Sequence, residues 1–112
     1  MTDTNVVTIV GRLTKDAELK QTGISVGFFT IATNRRKKDH NGNYIDEASF
    51  LDINVYGKYA ETIIPSLKKG VQVCVVGKLK QERWTDDRTG QNKNRIVITA
   101  DAIQIFGGGN AQ

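Results

Sequence analysis

Phe50, Tyr56 and Trp84 are aromatic rings set among polar and basic residues, and their spacing says what they could touch. In the run Glu47 to Gly57, E-A-S-F-L-D-I-N-V-Y-G, strand alternation sends Leu51, Ile53 and Val55 to one face and Phe50, Asp52, Asn54 and Tyr56 to the other. The aliphatic set requires a core, so the two rings fall on the face that water should cover. Rings left there can stack on a flat partner, or they can cover a second small core or a subunit contact. Trp84 stands between Arg83 and Thr85-Asp86-Asp87, where the alternative to an exposed ring is a buried loop anchor. Asp52 and Asn54, between the strand's rings, have the hydrogen-bonding groups to meet base edges.

Charge is placed to match. The chain of 112 residues carries a formal charge of +4, and ten of its sixteen Lys and Arg residues fall in two windows. One holds Arg35, Arg36, Lys37 and Lys38; the other holds Lys78, Lys80, Arg83, Arg88, Lys93 and Arg95. Clustered cations with few matching acids point to a polyanion, the alternative being a solvated charged face. Unstacked bases expose flat faces worth about 1–3 kcal/mol each on an aromatic ring, and their phosphates require a cationic track. Along one strand Lys78 and Lys80 share the alternating face that ends at Trp84. A duplex fits less well, since groove reading wants a helix or ribbon shaped to the groove; composition does not separate DNA from RNA.

Catalysis finds little to work with. His40, the single histidine, lies among Asp39, Asn41 and Gly42, too loosely held for the base of a nucleophilic triad. Asp16 with Glu18, or Asp46 with Glu47, could hold magnesium for a nuclease, but no third acid joins either pair at a useful spacing. No Gly-rich phosphate loop is present, and the lone Cys74, between Val73 and Val75, supports neither a disulfide framework nor a four-ligand zinc site. The chain thus reads as a non-enzymatic protein without cofactor or metal. Its apolar runs are too short to span a membrane and Met1–Asn5 lacks a signal-peptide pattern, so a reducing, cytoplasmic and nucleoid-associated setting is expected.

The elements that must position these residues are mostly strands. Strands are expected over Asn5–Leu13, Ser25–Asn34, Glu47–Gly57, Val71–Glu82 and Arg95–Phe106, with Gly11 and Gly77 marking bends or bulges. Thr14–Lys20 could add a short extended edge. Arg35–Asp46, with Asn41-Gly42 at its tip, and Arg83–Asn94, with Thr89-Gly90, read as protruding polar hairpin loops. Lys58–Lys69 predicts a short helix with Tyr59, Ile63 and Leu67 on one face, kinked by Pro65 and stopped by Gly70. Three strands, a short helix and two strands describe an all-β fold laid out as an OB-fold, a five-stranded Greek-key barrel with long β-hairpin loops. An SH3-like barrel would not normally carry the helix.

Several stretches resemble the bacterial single-stranded DNA-binding protein family: V-G-R-L-T-K-D-A-E-L (Val10–Leu19), T-I-A-T-N (Thr30–Asn34), V-Y-G-K-Y-A-E (Val55–Glu61), K-K-G-V-Q-V-C-V-V-G-K-L (Lys68–Leu79) and R-W-T-D (Arg83–Asp86). The resemblance runs from about Asn5 to Phe106. It implies an OB-fold, usually a homotetramer, that wraps single-stranded DNA in replication, recombination and repair without sequence preference or cofactor. Phe50, Tyr56 and Trp84 fall on the family's stacking positions, and Lys58, Lys69 and Arg83 on basic positions that contact DNA; Lys78, Lys80 and Arg88 join them from the second basic window. A further tryptophan common in the first hairpin is replaced here by Arg35 and Arg36, whose guanidinium groups can also stack. Leu51 stands where a histidine often sits at a subunit interface, leaving the tetramer expected with altered contacts. The expected domain is residues 1–106, and 107–112 read as the start of a flexible Gly-rich tail. In the family that tail ends in an acidic tip that recruits replication and repair proteins; this sequence stops at Gln112 before such a tip. A barrel of the same family acting mainly through protein contacts is the rival reading, against which the retained rings argue.

Overall fold

The computed structural model describes residues 3–107. Strands Val7–Leu13 (β1), Glu18–Thr22 (β2), Ile24–Lys38 (β3) and Tyr44–Tyr56 (β4) precede a helix, Gly57–Ile63 (α1), with a 3₁₀ turn at Ile64–Ser66. Gln72–Thr85 (β5) and Asn92–Gly107 (β6) follow. β1 pairs with β5, β5 with β6, β6 in parallel with β4, β4 with β3, and β3 returns to β1, so five strands close a ring. β2 lies outside that ring on the free edge of β3; it is the extended edge expected over Thr14–Lys20, set a few residues later. The tail expected over 107–112 lies outside the described residues except Gly107, which ends β6.

Closure depends on two places where backbones approach without room for a side chain. β1 leaves β5 and turns onto β3 at Arg12↔Ala32, and a Cβ at Gly11 would stand 2.7 Å from the Ala32 carbonyl oxygen. At Gly77 a Cβ would penetrate the Thr99 carbonyl. A bulge was expected here, and the register does shift between Val76 and Gly77: Val76 faces Ala102 while Gly77 faces Ala100. The additional residue is therefore Asp101 on β6, and Gly77 is the slot against which that strand kinks.

Alternation delivers the core. Ile53 and Val55 from β4, Phe29 and Ile31 from β3, Val73 and Val75 from β5, Leu13 from β1 and Ile98 from β6 are buried together, with Leu51 half-buried against them. The helix differs from expectation. It ends at Ile63, because Pro65 opens the 3₁₀ turn, where its missing amide hydrogen costs nothing. Its buried face is Ala60, Ile64 and Leu67 rather than Tyr59, Ile63 and Leu67. Ile64 fills the space above Gly27 that a Cβ would need, while the Tyr59 hydroxyl accepts the Ile103 amide at 2.7 Å. Gly70 does not stop the helix but serves the turn after it, with φ +86° and the Val71 amide bonded to the Lys68 carbonyl.

Both basic loops are mostly strand. The β3–β4 ladder continues to Lys38↔Tyr44, and the β5–β6 ladder to Thr85↔Asn92. Backbone pairing is indifferent to side-chain polarity once the ladder is nucleated, and Asp39 closes the first turn by accepting the Asn41 and Asn43 amides at 2.9 Å each.

Gly77→Ala should lower the urea-unfolding stability by about 1–3 kcal/mol or more, since the backbone must move to admit the methyl group. Gly107→Ala, where a Cβ meets nothing within 4 Å, is the near-neutral control. Equal midpoints for the two variants would contradict the close approach of β5 to Thr99.

Candidate nucleic-acid interface

The β3–β4 register places Phe50 opposite Ala32, Asp52 opposite Thr30, Asn54 opposite Phe28 and Tyr56 opposite Val26. Continued toward the turn, the same face carries Asn34, Arg36, Lys38 and Tyr44. β5 adds Lys78, Lys80, Glu82 and Trp84 opposite Thr99, Val97, Arg95 and Lys93 of β6. Hydrogen bonds from Asn54 on β4 to Glu82 on β5, at 3.2 Å, and from Arg95 on β6 to Glu82, at 3.0 Å, tie the two hairpins into one surface.

Phe50 is 67% exposed and Trp84 46%, so neither ring covers a core and Trp84 is not a buried anchor. Tyr56 is half-buried, with the Lys80 ammonium 5.9 Å from its ring centroid. Lys58 follows as an exposed residue of α1, at the end of the sheet marked by Tyr56. Lys69 sits farther round, where its amide donates to Asp16 Oδ1 at 2.9 Å. Asp16 also borders a groove that runs past Lys20, Phe28, Thr30, Asp52 and Arg95. Arg88 lies exposed in the turn between β5 and β6, its amide held by Asp86.

Two of the expected contacts face the other way. Arg35 lies on the reverse of the β3–β4 ribbon, bonded to Glu47 at 2.7 Å, with Lys37 on the same carboxylate at 3.5 Å. The Arg35 hydrogen bond, then the Lys37 and Arg35 charges, hold the Glu47 carboxyl below its usual range. Arg83 likewise alternates away from Trp84 and donates twice to Gln81, although both border a shallow hollow at the distal end of the hairpin. The base-edge reading of Asp52 and Asn54 also changes. Asn54 is only 2% exposed, and Asp52 receives the Thr30 hydroxyl at 2.9 Å and Arg95 at 3.6 Å. Arg95 thus bridges Asp52 and Glu82. Such exposed pairs add only about 0.2–1 kcal/mol to stability; their larger consequence is to mask two acids in the middle of a cationic face.

Reasoning from sequence counted Lys38 and Arg95 only within the two cationic windows and missed Tyr44, Phe28 and Lys20 as members of this face. Tyr44 and Lys38 keep the parity of Phe50, a signal hidden when Arg35–Asp46 is read as a loop. Phe28 lies under Lys20, 5.4 Å from ammonium to ring centroid, a pairing that depends on β2 lying beside β3.

A five-strand ring with an outer edge strand, one helix after β4, and aromatic and basic side chains across one face defines an OB-fold with an open aromatic surface. Residues 4–106 match the Single-strand binding protein family, and the chain belongs to that family. It is 42% identical over 109 residues to the single-stranded DNA-binding protein of Treponema pallidum, covering 96% of this chain and 60% of that protein. To the Borreliella burgdorferi protein of the same name it is 42% identical over 112 residues, covering 98% and 74%. Among solved structures, the Plasmodium falciparum SSB complex with ssDNA superposes with a TM-score of 0.84 at 24% identity, over 95% of this chain and 97% of that one. A deletion mutant of the Thermus aquaticus single-stranded DNA binding protein gives 0.82 at 23% identity, over 94% and 51%. Both share the fold.

Proposed function

We propose that the chain binds single-stranded DNA without sequence preference, stacking bases on Phe50, Tyr56 and Trp84 while Lys58, Lys69, Lys78, Lys80 and Arg88 meet phosphates. The observation that carries this reading is the common face of the rings: exposed Phe50 and half-buried Tyr56 alternate with core aliphatics on β4, and the face continues, through Lys80, toward Trp84. Stacking is indifferent to base identity because every base has a flat face. Arg36 joins the phosphate contacts from the ring side; Arg35 and Arg83 reach DNA only around the ribbon edges. Relatives named as single-stranded DNA-binding proteins, and a fold neighbour solved with such DNA, support the choice of ligand. Roles in replication, recombination and repair follow from that ligand, in the cytoplasm.

Self-association is part of the proposal. Val10 and Val76 are exposed on adjoining strands, with Val10 opposite Cys74 and Thr8 opposite Val76, an apolar patch suited to a second copy. Light scattering should return the mass of four chains; a monomer at micromolar concentration would contradict assembly.

Oligo(dT) should quench Trp84 emission at low salt and bind more tightly than duplex of equal length. Alanine at Trp84, Phe50 or Tyr56 should each cost about 1–3 kcal/mol of affinity, whereas Lys80→Gln should reduce the slope of log affinity against log salt by about 0.7. Unchanged emission together with equal duplex affinity would refute the reading.

A further inference from the structure

The centre of the aromatic face carries a bridge of opposite charges. Arg95 reaches Glu82 Oε1 with Nε at 3.0 Å and Asp52 Oδ2 with a terminal nitrogen at 3.6 Å. The second oxygen of each acid is held by a neutral donor: the Thr30 hydroxyl donates to Asp52 Oδ1 at 2.9 Å, and the Asn54 amide donates to Glu82 Oε2 at 3.2 Å. Asn54 is buried and Thr30 belongs to β3, so both carboxylates are fixed on this face by groups other than Arg95. The groove beside the bridge is bordered by Lys15, Lys20 and Arg95 and by Asp16, Glu18 and Asp52, three charges of each sign. Glu82 adds a further acid, and Lys80, two residues before it on the same side of β5, offsets that one. The centre of the face is therefore balanced in charge, although the chain as a whole stands at +4.

We infer that Asp52 and Glu82, bridged by Arg95, are specificity-determining residues: they cancel the positive charge at the centre of the aromatic face and so reject polyanions that bring phosphates there without free bases. The inference rests on the single-stranded DNA reading above and concerns what that face turns away. Asp52 lies two residues from Phe50 on the same side of β4, about 7 Å along the strand, which is inside the screening length of about 8 Å at physiological ionic strength. A single strand rotates freely about its backbone, so it can lay an uncharged base on Phe50 and turn its phosphates outward. A duplex keeps its bases inside and offers this spot only phosphates, and a polyphosphate chain has nothing else to offer. Fixed like charges set against the wrong partner separate two ligands more effectively than they weaken the right one. Arg95 keeps the two acids from repelling the single strand as well, and it does so while committed to them rather than to a phosphate.

The test follows oligo(dT) binding to the full chain by Trp84 emission, and the displacement of labelled oligo(dT) by duplex of equal length and by linear polyphosphate. Three variants step the charge at the centre: Arg95→Gln makes it more negative, Asp52→Asn with Glu82→Gln makes it more positive, and the three changes together fall between the parent and that pair. Affinity for duplex and polyphosphate should rise in the order Arg95→Gln, parent, triple variant, double variant, with oligo(dT) changing less at every step. In the double variant the preference for oligo(dT) over duplex should fall by about 5-fold, the effect of one unit charge about 4 Å from a phosphate in water. Its salt slope for duplex should steepen by about 0.9, because Arg95 is then free to meet a phosphate. If the double variant has a lower unfolding temperature, Asp52→Asn alone, at a side chain that is 47% exposed, repeats the comparison and decides it. Equal proportional gains for all three ligands, or unchanged affinity for duplex and polyphosphate, would overturn the selective role while leaving the wider reading intact. A salt slope for oligo(dT) that falls by about 0.7 in Arg95→Gln would make Arg95 an ordinary phosphate contact and overturn it too. Absence of any Trp84 quenching in the parent would remove this inference along with the reading on which it rests.

Discussion

The antiparallel ladder between β3 and β4, unbroken from Val26↔Tyr56 to Lys38↔Tyr44, is the constraint on which the rest of the molecule depends. It passes without a bulge from the closed ring into the protruding hairpin, so one alternation governs both. Slipping the pairing by a single residue would turn Ile53 and Val55 outward and bury Phe50. Core and aromatic face are therefore specified together: burial of Ile53, Val55, Phe29 and Ile31 sets the register, and the register leaves the rings outside. The glycine contacts at Gly11 and Gly77 complete the arrangement by closing the ring, and the β5–β6 hairpin then stands beside β4.

Electrostatics refine what the ladder sets up. Acids do occur on the aromatic face: Asp46 stands opposite Arg36 near the hairpin tip, while Arg95 spans Asp52 and Glu82, and Thr30 and Asn54 hydrogen-bond those two carboxylates. On the reverse of the first hairpin Glu47 absorbs Arg35 and Lys37. Ion pairs this exposed contribute little to folding, and their effect is to engage Glu47, Asp52 and Glu82 with neighbouring cations. Arg36, Lys38, Lys78 and Lys80 remain without ion pairs among the described residues, all with the parity of Phe50 or Trp84. Cations brought to the same face as flat rings are what a flexible polyanion with exposed bases requires.

Much of this was legible in the sequence where alternation was clean. The β4 pattern separated core from rings, the two glycines marked the bends, and the order of elements pointed to the five-strand closure. Legibility failed where polarity was taken for irregularity. Arg35–Asp46 and Arg83–Asn94 look like loops because their side chains never bury, yet backbone pairing carries both strands onward, and with them the parity that separates Arg36 from Arg35 and Trp84 from Arg83. Asn54 failed for a different reason: its burial is caused by neighbours on β5 and β6 that are distant in the chain. The helix face was misjudged by one position because packing onto Gly27, rather than the kink at Pro65, selects Ile64.

The central claim is that ring placement, rather than ring exposure, decides which aromatics meet the nucleic acid. Phe106 provides the contrast: it is 51% exposed, more than Trp84 at 46%, but lies at the far end of β6 near the Gln72↔Gly107 pair. Photocrosslinking the full chain to oligonucleotides carrying 5-iodouracil, with the adducts located by mass spectrometry, compares these rings in one sample. The account predicts adducts at Phe50, Tyr56 and Trp84 and none at Phe106. Adducts at Phe106 in proportion to its exposure, or none at the three rings of the shared face, would contradict it.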